Sequence, residues 1–132
     1  MERETERRFV QSFILREKRE RLLFELGGKR RREGIGRFCH GAESLLMKEK
    51  IIASGPLNIA QIRSYVEQYA PKETGYLCAY NANLDGLRMP APAALKKALN
   101  NGMAALLIFE CLAIVETEQE SGTPDRYILL EP

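Results

Sequence analysis

The sequence predicts an α+β fold in which N-terminal helices pack on a small sheet that ends in a C-terminal antiparallel hairpin. Apolar residues recur at helical spacing within residues 5–26 and 58–70. Short apolar runs, typical of strands, follow in the second half of the chain. With 132 residues, 45% of them hydrophobic and 29% charged, the chain has the length and composition of one globular domain. We therefore predict a single domain over residues 1–132.

Two helices are predicted in the N-terminal part of the chain. The first spans residues 5–26, and its two apolar patches are rotated relative to each other, so we expect it to bend or to serve two packing surfaces. Gly27-Gly28 should end it, because glycine reaches the left-handed conformation at a helix C-terminus without steric cost. The second helix is predicted over residues 36–48, where the apolar residues Phe38, Ala42, Leu45 and Leu46 fall on one face.

The middle of the chain alternates between strand and helix signals. Residues 50–54 are predicted as a short strand, and residues 58–70 as a helix. Asn58 is expected to cap this helix, with Gln61 reaching back as in a capping box. Residues 76–80 are rich in aromatic side chains and are predicted as another strand.

A loop and a fourth helix are predicted to follow. Residues 81–89 are expected to form the loop, with Asp85-Gly86 as its turn. Pro90 and Pro92 suit the first turn of a helix that ends before Asn100-Asn101-Gly102, because a proline there loses no hydrogen bond.

The C-terminus is predicted to be a hairpin of residues 112–118 and 126–130. Residues 103–111 are ambiguous, since periodicity does not decide short apolar runs. We favour a strand, which extends the hairpin into a three-stranded meander. If these residues are helical, the order of helix, strand, wing and strand resembles the end of a winged-helix domain. That resemblance carries no specific motif, and it implies a DNA-binding function.

Charge is distributed unevenly along the chain, although the net charge is only +2. Residues 1–50 carry a balance of +5, and residues 51–132 a balance of −3. Residues 16–32 contain eight basic and three acidic side chains, a pattern that favours phosphate or another anionic partner. The alternative is a solvated helix face with local ion pairs. The candidate anion- or nucleic-acid-binding residues are Arg16, Lys18, Arg19, Arg21, Lys29, Arg30, Arg31, Arg32, Arg37 and His40.

His40 is the only histidine, so any mechanism that needs an imidazole base must use it. On the predicted second helix it lies near Arg37, one turn earlier, and the two would form an anion site or the centre of a small enzyme. Cys39 and His40 are adjacent and would point about 100° apart, which disfavours a thiolate–imidazolium pair. We therefore predict Cys39 to be a small core residue and assign no catalytic residue.

The sequence predicts no metal site and no cofactor. The three cysteines and His40 lack the close-spaced ligand pairs of structural zinc sites. Glu116, Glu118 and Glu120 alternate along the predicted hairpin strand, and we expect them to form its solvated outer face or a charge-protected edge that discourages strand pairing. The odd number of cysteines and the charged N-terminal residues predict a cytoplasmic protein with free thiols and no membrane association.

These observations predict a non-enzymatic binding or regulatory module that engages protein or nucleic acid. A small enzyme with a site around Arg37 and His40 is the first alternative, and a winged-helix-like DNA-binding protein is the second. Homo-oligomers are a further expectation, formed between the basic N-terminal region and the acidic C-terminal region.

Overall fold

A computed structural model describes all residues from 1 to 132 and confirms the α+β class. One six-stranded antiparallel sheet has the strand order β1-β6-β5-β4-β2-β3. Its strands are β1 (Ile51–Gly55), β2 (Thr74–Ala79), β3 (Arg88–Pro90), β4 (Ala105–Ile108), β5 (Leu112–Glu116) and β6 (Arg126–Leu130). The helices are α1 (Arg3–Phe13), α2 (Arg16–Leu26), α3 (Arg31–Gly36), α4 (Ile59–Tyr69) and α5 (Ala91–Ala98).

The sheet is covered by helices on both faces, and each face has its own apolar core. Side chains alternate along the strands, so that Leu106 and Cys78 point to one face while Leu107 and Leu77 point to the other. The first face is covered by α1, α2 and α3 and is here called the N-terminal face. The second is covered by α4 and α5 and is called the groove face. No helix is long and apolar enough to cross a membrane.

The predicted helix over residues 5–26 is two helices, α1 and α2, with a break at Ile14-Leu15. Both residues are extended there, and Ile14 forms an isolated bridge with Leu46. The amide of Leu15 donates to the carbonyl of Leu45 at 2.8 Å, and the amide of Met47 donates to the carbonyl of Phe13 at 2.8 Å. A distant segment thus takes the hydrogen bonds that a continuous helix would make, and the helical pattern of the sequence does not reveal it.

The predicted helix over residues 36–48 is wrong. The helical turns of this region are α3, which ends at Gly36, and two short 3₁₀ turns at Ala42–Ser44 and Lys48–Lys50. Gly41 lies between them with a φ of 66°, a conformation that favours glycine. Phe38, Ala42, Leu45 and Leu46 are buried as expected, so the apolar spacing identified the core residues but not their backbone.

Helix ends were predicted with mixed success. Asn58 and Gln61 form the capping box of α4, with both hydrogen bonds at 2.8 Å. Pro90 precedes α5 and Pro92 lies in its first turn, as expected. Gly27 follows the last residue of α2, but its φ of −87° shows that the left-handed conformation is not used.

The C-terminal meander is confirmed. Residues 105–108 form β4, which pairs with β5, and β5 pairs with β6. Strand β4 therefore occupies the place where the winged-helix order requires a helix. Residues 88–90, at the end of the predicted loop, form the short edge strand β3, because they pair with β2.

Candidate functional site

Arg31, from the middle of the basic segment, lies inside the protein rather than on a binding surface. Its guanidinium donates to the Glu6 carboxylate at 2.6 and 2.7 Å and to the Asp85 carboxylate at 2.6 and 2.9 Å. It also donates to the Leu26 carbonyl at 2.9 Å. Its side chain is 13% exposed, so these bonds join α1, α3 and the loop after β2 in a largely buried network.

Two residues of β2 complete the Arg31 network. The Tyr76 hydroxyl donates to Glu6 at 2.6 Å, and the Cys78 thiol lies 3.4 Å from the guanidinium. Burial, together with the nearby Glu6 carboxylate, raises the pKa of the Tyr76 hydroxyl. Burial also raises the pKa of the Cys78 thiol well above its ordinary value. Both groups are therefore held in their neutral forms at neutral pH.

Arg37 and His40, predicted to lie one helical turn apart as an anion site, contact different partners. The Arg37 guanidinium binds the buried Glu25 carboxylate at 2.6 and 2.8 Å. This hydrogen bonding lowers the pKa of Glu25 and raises the pKa of Arg37. His40 lies in the turn after α3, where its Nε2 is 2.7 Å from the Glu118 carboxylate. The predicted Arg37–His40 pair is therefore absent.

Most of the remaining basic residues are on the surface, among acidic neighbours. Arg19 is half-buried and donates to the Ile14 carbonyl at 2.8 Å. Arg32 lies over the ring of Tyr80, 4.2 Å from its centroid. The exposed members are Arg16, Lys18, Arg21, Lys29, Arg30 and Arg32. Because Arg31 is already paired, the surface is less basic than the sequence count of residues 16–32 indicates, and Arg37, beyond that segment, is paired as well.

Glu116 does not belong to a solvated outer face. Its carboxylate accepts from the Arg126 guanidinium at 2.8 Å, and both side chains are only 1% exposed. Arg126 also donates to the Leu57 carbonyl at 2.6 Å and to the Asn100 amide oxygen at 2.8 Å. Burial raises the pKa of Glu116, although Arg126 and the amide of Asn100 act to lower it. The prediction failed for Glu116 because β5 is an inner strand of a sheet that helices cover on both faces, whereas Glu118 and Glu120 lie beyond the end of β5.

Glu118 and Glu120 approach His40 at the mouth of a polar cleft. The cleft has a volume of about 380 Å³ and lies between the turn after α3 and the loop that joins β5 to β6. Glu43 and Asp125 also line it, and no lysine or arginine does. We call it the acidic cleft. No motif in the sequence predicted this cleft, because His40 and Glu118 are far apart in the chain.

An apolar groove lies between α4 and α5 on the groove face, and no pattern in the sequence predicted it. Its larger compartment has a volume of about 530 Å³ and is lined by Val66, Ala70, Ala91 and Leu95. A second compartment of about 380 Å³ shares Leu95 and continues along α5. We call the two together the α4–α5 groove. The lining of the larger compartment exposes mainly apolar surface.

All three cysteines are free thiols, as predicted. Cys78 is fully buried, whereas Cys39 and Cys111 are partly exposed. Burial raises the pKa of the Cys39 and Cys111 thiols as well. Neither therefore has the lowered pKa of an activated nucleophile.

Comparison with known proteins finds no matching protein-family model, no similar curated protein and no similar solved structure.

Proposed function

We propose that the protein is a non-enzymatic binding module whose α4–α5 groove takes a segment of a partner protein with apolar residues and an acidic residue. The observation that carries this proposal is the groove itself. Concave apolar surfaces are where proteins bury ligands, and a few charged groups at the rim fix the orientation of the ligand.

The floor of the groove is apolar, and its residues pack against the hydrophobic core of the groove face. Val66 and Leu95 are each 4% exposed, and they belong to the same buried cluster as Ile114 of the sheet. Leu99 continues this floor in the second compartment, and Ile59 stands 38% exposed at the rim. An apolar side chain entering here would remove its own surface and that of the floor from water, at about 25 cal/mol per Å².

The rim indicates the charge of the partner. Arg63 and Lys96 line the second compartment, and no carboxylate lines it. In the larger compartment, Lys72 is accompanied by Glu67 and Glu73. The rim is therefore most basic at the second compartment, which supports a partner that places a carboxylate there. Such complementarity fixes the register of a bound segment more than it adds affinity.

A protein partner is favoured over nucleic acid because the basic segment is partly neutralised within the fold. Arg31 and Arg37 are held by Glu6, Asp85 and Glu25, which reduces the charge left for phosphates. The free thiols support a cytoplasmic location for this interaction. No catalytic role is proposed, since the groove contains no activated nucleophile or paired acid and base.

The test is selection of peptides from a random library displayed on phage, followed by affinity measurement with the synthetic peptides. We expect enriched peptides to combine apolar residues with aspartate or glutamate. The double variant Arg63→Glu/Lys96→Glu should weaken their binding about tenfold, since each exposed ion pair contributes up to about 1 kcal/mol and 1.4 kcal/mol corresponds to tenfold in Kd.

The matched control is Lys18→Glu/Arg30→Glu, which reverses two exposed charges on the N-terminal side and should leave the affinity unchanged. Enriched peptides that bind the groove variant as tightly as the wild type would contradict the proposal. So would peptides whose binding depends on Lys18 and Arg30, because they would identify the basic segment as the binding surface.

A further inference from the structure

The acidic cleft brings three metal-ligating side chains together from two distant segments. His40 comes from the turn after α3, and Glu118 and Glu120 come from the loop after β5. One ligand atom from each residue lies within 4.8 Å of the other two. The two segments are also joined directly, because the amide of Glu118 donates to the carbonyl of Cys39 at 3.2 Å.

The two carboxylates reach the imidazole from both of its nitrogens. Glu118 is 2.7 Å from Nε2, and a carboxylate oxygen of Glu120 is 3.6 Å from Nδ1. The charge in the cleft is not balanced by the protein, since Glu43 and Asp125 add two further carboxylates and no lysine or arginine lines it. Four carboxylates around one imidazole give the cleft a negative potential that attracts a cation.

We propose that His40, Glu118 and Glu120 form a binding site for a divalent transition-metal ion of the zinc class. An imidazole nitrogen with carboxylate oxygens suits Zn²⁺, Ni²⁺ or Co²⁺, whereas Mg²⁺ and Ca²⁺ prefer oxygen ligands alone. Because Glu118 and Glu120 contact different nitrogens of the ring, binding of one ion at one nitrogen requires these side chains to rotate until both carboxylates face that nitrogen, at ligand distances of about 2.0–2.2 Å from the ion. Water completes the coordination, because the cleft is open to solvent.

The mixed chemistry of the three ligands distinguishes this site from a surface cluster of carboxylates. A polyamine or a basic peptide would use the carboxylates and gain nothing from the imidazole, whereas a transition metal uses both. The bound ion would also link the turn after α3 to the loop after β5. Metal binding would therefore stabilise the contact between these two segments. This effect is independent of the α4–α5 groove, which lies on the other face of the sheet.

The experiment is calorimetric titration of Zn²⁺ into the untagged, reduced protein, with Co²⁺ absorption as a second readout. We expect one ion per chain. His40→Ala should weaken binding by at least about tenfold, and Glu118→Gln should do the same, since each removes a ligand that the ion contacts directly. Mg²⁺ is expected to compete poorly. Thermal melting of the wild type, but not of His40→Ala, should shift upward with added Zn²⁺.

Two control variants keep the proposal falsifiable. Glu20→Gln removes an exposed carboxylate on α2 and should leave Zn²⁺ binding unchanged. Cys39→Ser tests whether the neighbouring thiol is responsible. Binding that survives His40→Ala and disappears in Cys39→Ser would overturn the proposal in favour of thiol ligation. Absence of stoichiometric Zn²⁺ binding to the folded wild type would overturn it outright.

Discussion

The N-terminal face of the sheet is covered by three consecutive helices, whereas the groove face is covered by two helices that leave an open groove between them. On the N-terminal face, α1, α2 and α3 place Phe9, Leu22 and Ile35 over the strands with almost no exposure. On the groove face, α4 and α5 bury Ile62 and Leu95 but leave the space of two compartments between them. The helices thus cover the two faces of the same sheet to different extents.

Each face also contains a buried arginine, and the two differ in their surroundings. Arg31 lies on the N-terminal face between Glu6 and Asp85, and its side chain is 13% exposed. Arg126 lies on the groove face with Glu116 as its one carboxylate partner, and both are 1% exposed. The more deeply buried ion pair therefore lies on the face with the open groove.

Glu116→Gln should cause the largest loss of stability, because it leaves the Arg126 charge buried without its partner. We expect the free energy of unfolding to fall by about 3–5 kcal/mol, measured by urea denaturation. The double replacement Glu116→Leu/Arg126→Met is the control, since it removes both charges and should recover much of the loss. If the free energy of unfolding of Glu116→Gln stays within about 1 kcal/mol of the wild-type value, the Glu116–Arg126 ion pair does not make the predicted contribution to stability.

The same pair lies beside the groove, and this gives a second readout. Asn100, which accepts a hydrogen bond from Arg126, lines the second compartment. Amide hydrogen exchange of Glu116→Gln should therefore increase in α5 more than in α1. An equal increase of amide hydrogen exchange in α5 and α1 would contradict the prediction that loss of the Glu116–Arg126 ion pair destabilises the groove face more than the N-terminal face.

Arg31→Met should have an intermediate effect on the N-terminal face. The substitution removes hydrogen bonds to two carboxylates, and bonds to charged groups contribute about 1.5–3 kcal/mol each. Because Arg31 keeps some contact with water, we expect a net loss of about 2–3 kcal/mol in urea denaturation. The neighbouring Arg30→Met is the matched control, since Arg30 is exposed and its loss should change stability by less than about 0.5 kcal/mol. Equal effects of the two substitutions would contradict the buried network.

The smallest expected effect concerns acid stability and the ion pair of Glu2 with Arg88 at the edge of the sheet. Hydrogen bonding from Arg88, at 2.5 and 2.6 Å, lowers the pKa of Glu2 from 4.5 to about 2. A carboxyl whose folded pKa is lowered stabilises the protein above its unfolded pKa, and this contribution is lost as pH falls toward the folded value. Because both side chains are more than one-third exposed, the contribution should stay below about 1 kcal/mol.

Melting temperatures of the wild type and of Glu2→Gln between pH 6 and pH 2 test this expectation. The wild type should be slightly more stable at pH 6, and the two should converge as the pH falls from 4.5 to about 2, the span of the lowered Glu2 pKa. A difference that stays constant over this range would show that the ion pair is not the cause. A difference that grows toward pH 2 would contradict the sign of the pKa shift.

Local sequence signals predicted the second half of the chain better than the first. The capping box at Asn58 and Gln61 and the two prolines at the start of α5 are local devices, because they use backbone groups within a few residues. The break at Ile14-Leu15 depends on hydrogen bonds to residues 45–47. Such a distant partner leaves no periodic pattern in the neighbouring sequence.

At the candidate sites too, local features were visible in the sequence and contacts between distant residues were not. The exposed part of the basic segment was visible as a run of charges, but the sequence did not reveal that Arg31 and Arg37 point to Glu6 and Glu25. Nor did it reveal that Glu118 approaches His40 from the other end of the chain. The residue types indicated which charged and ligand groups the chain contains. Pairing with residues far away in the sequence then decided which of these groups remain unpaired.

By itself the sequence determined the α+β class, the order of most strands and helices, and the identity of the buried apolar residues. It did so because hydrophobic periodicity, capping and turn residues act over short distances. The tertiary structure alone decided the strand order, the partners of the buried charges, the acidic cleft and the α4–α5 groove. These features depend on which distant segments contact each other across the sheet. Those contacts determine the free energy of burying a charge or of leaving a groove open.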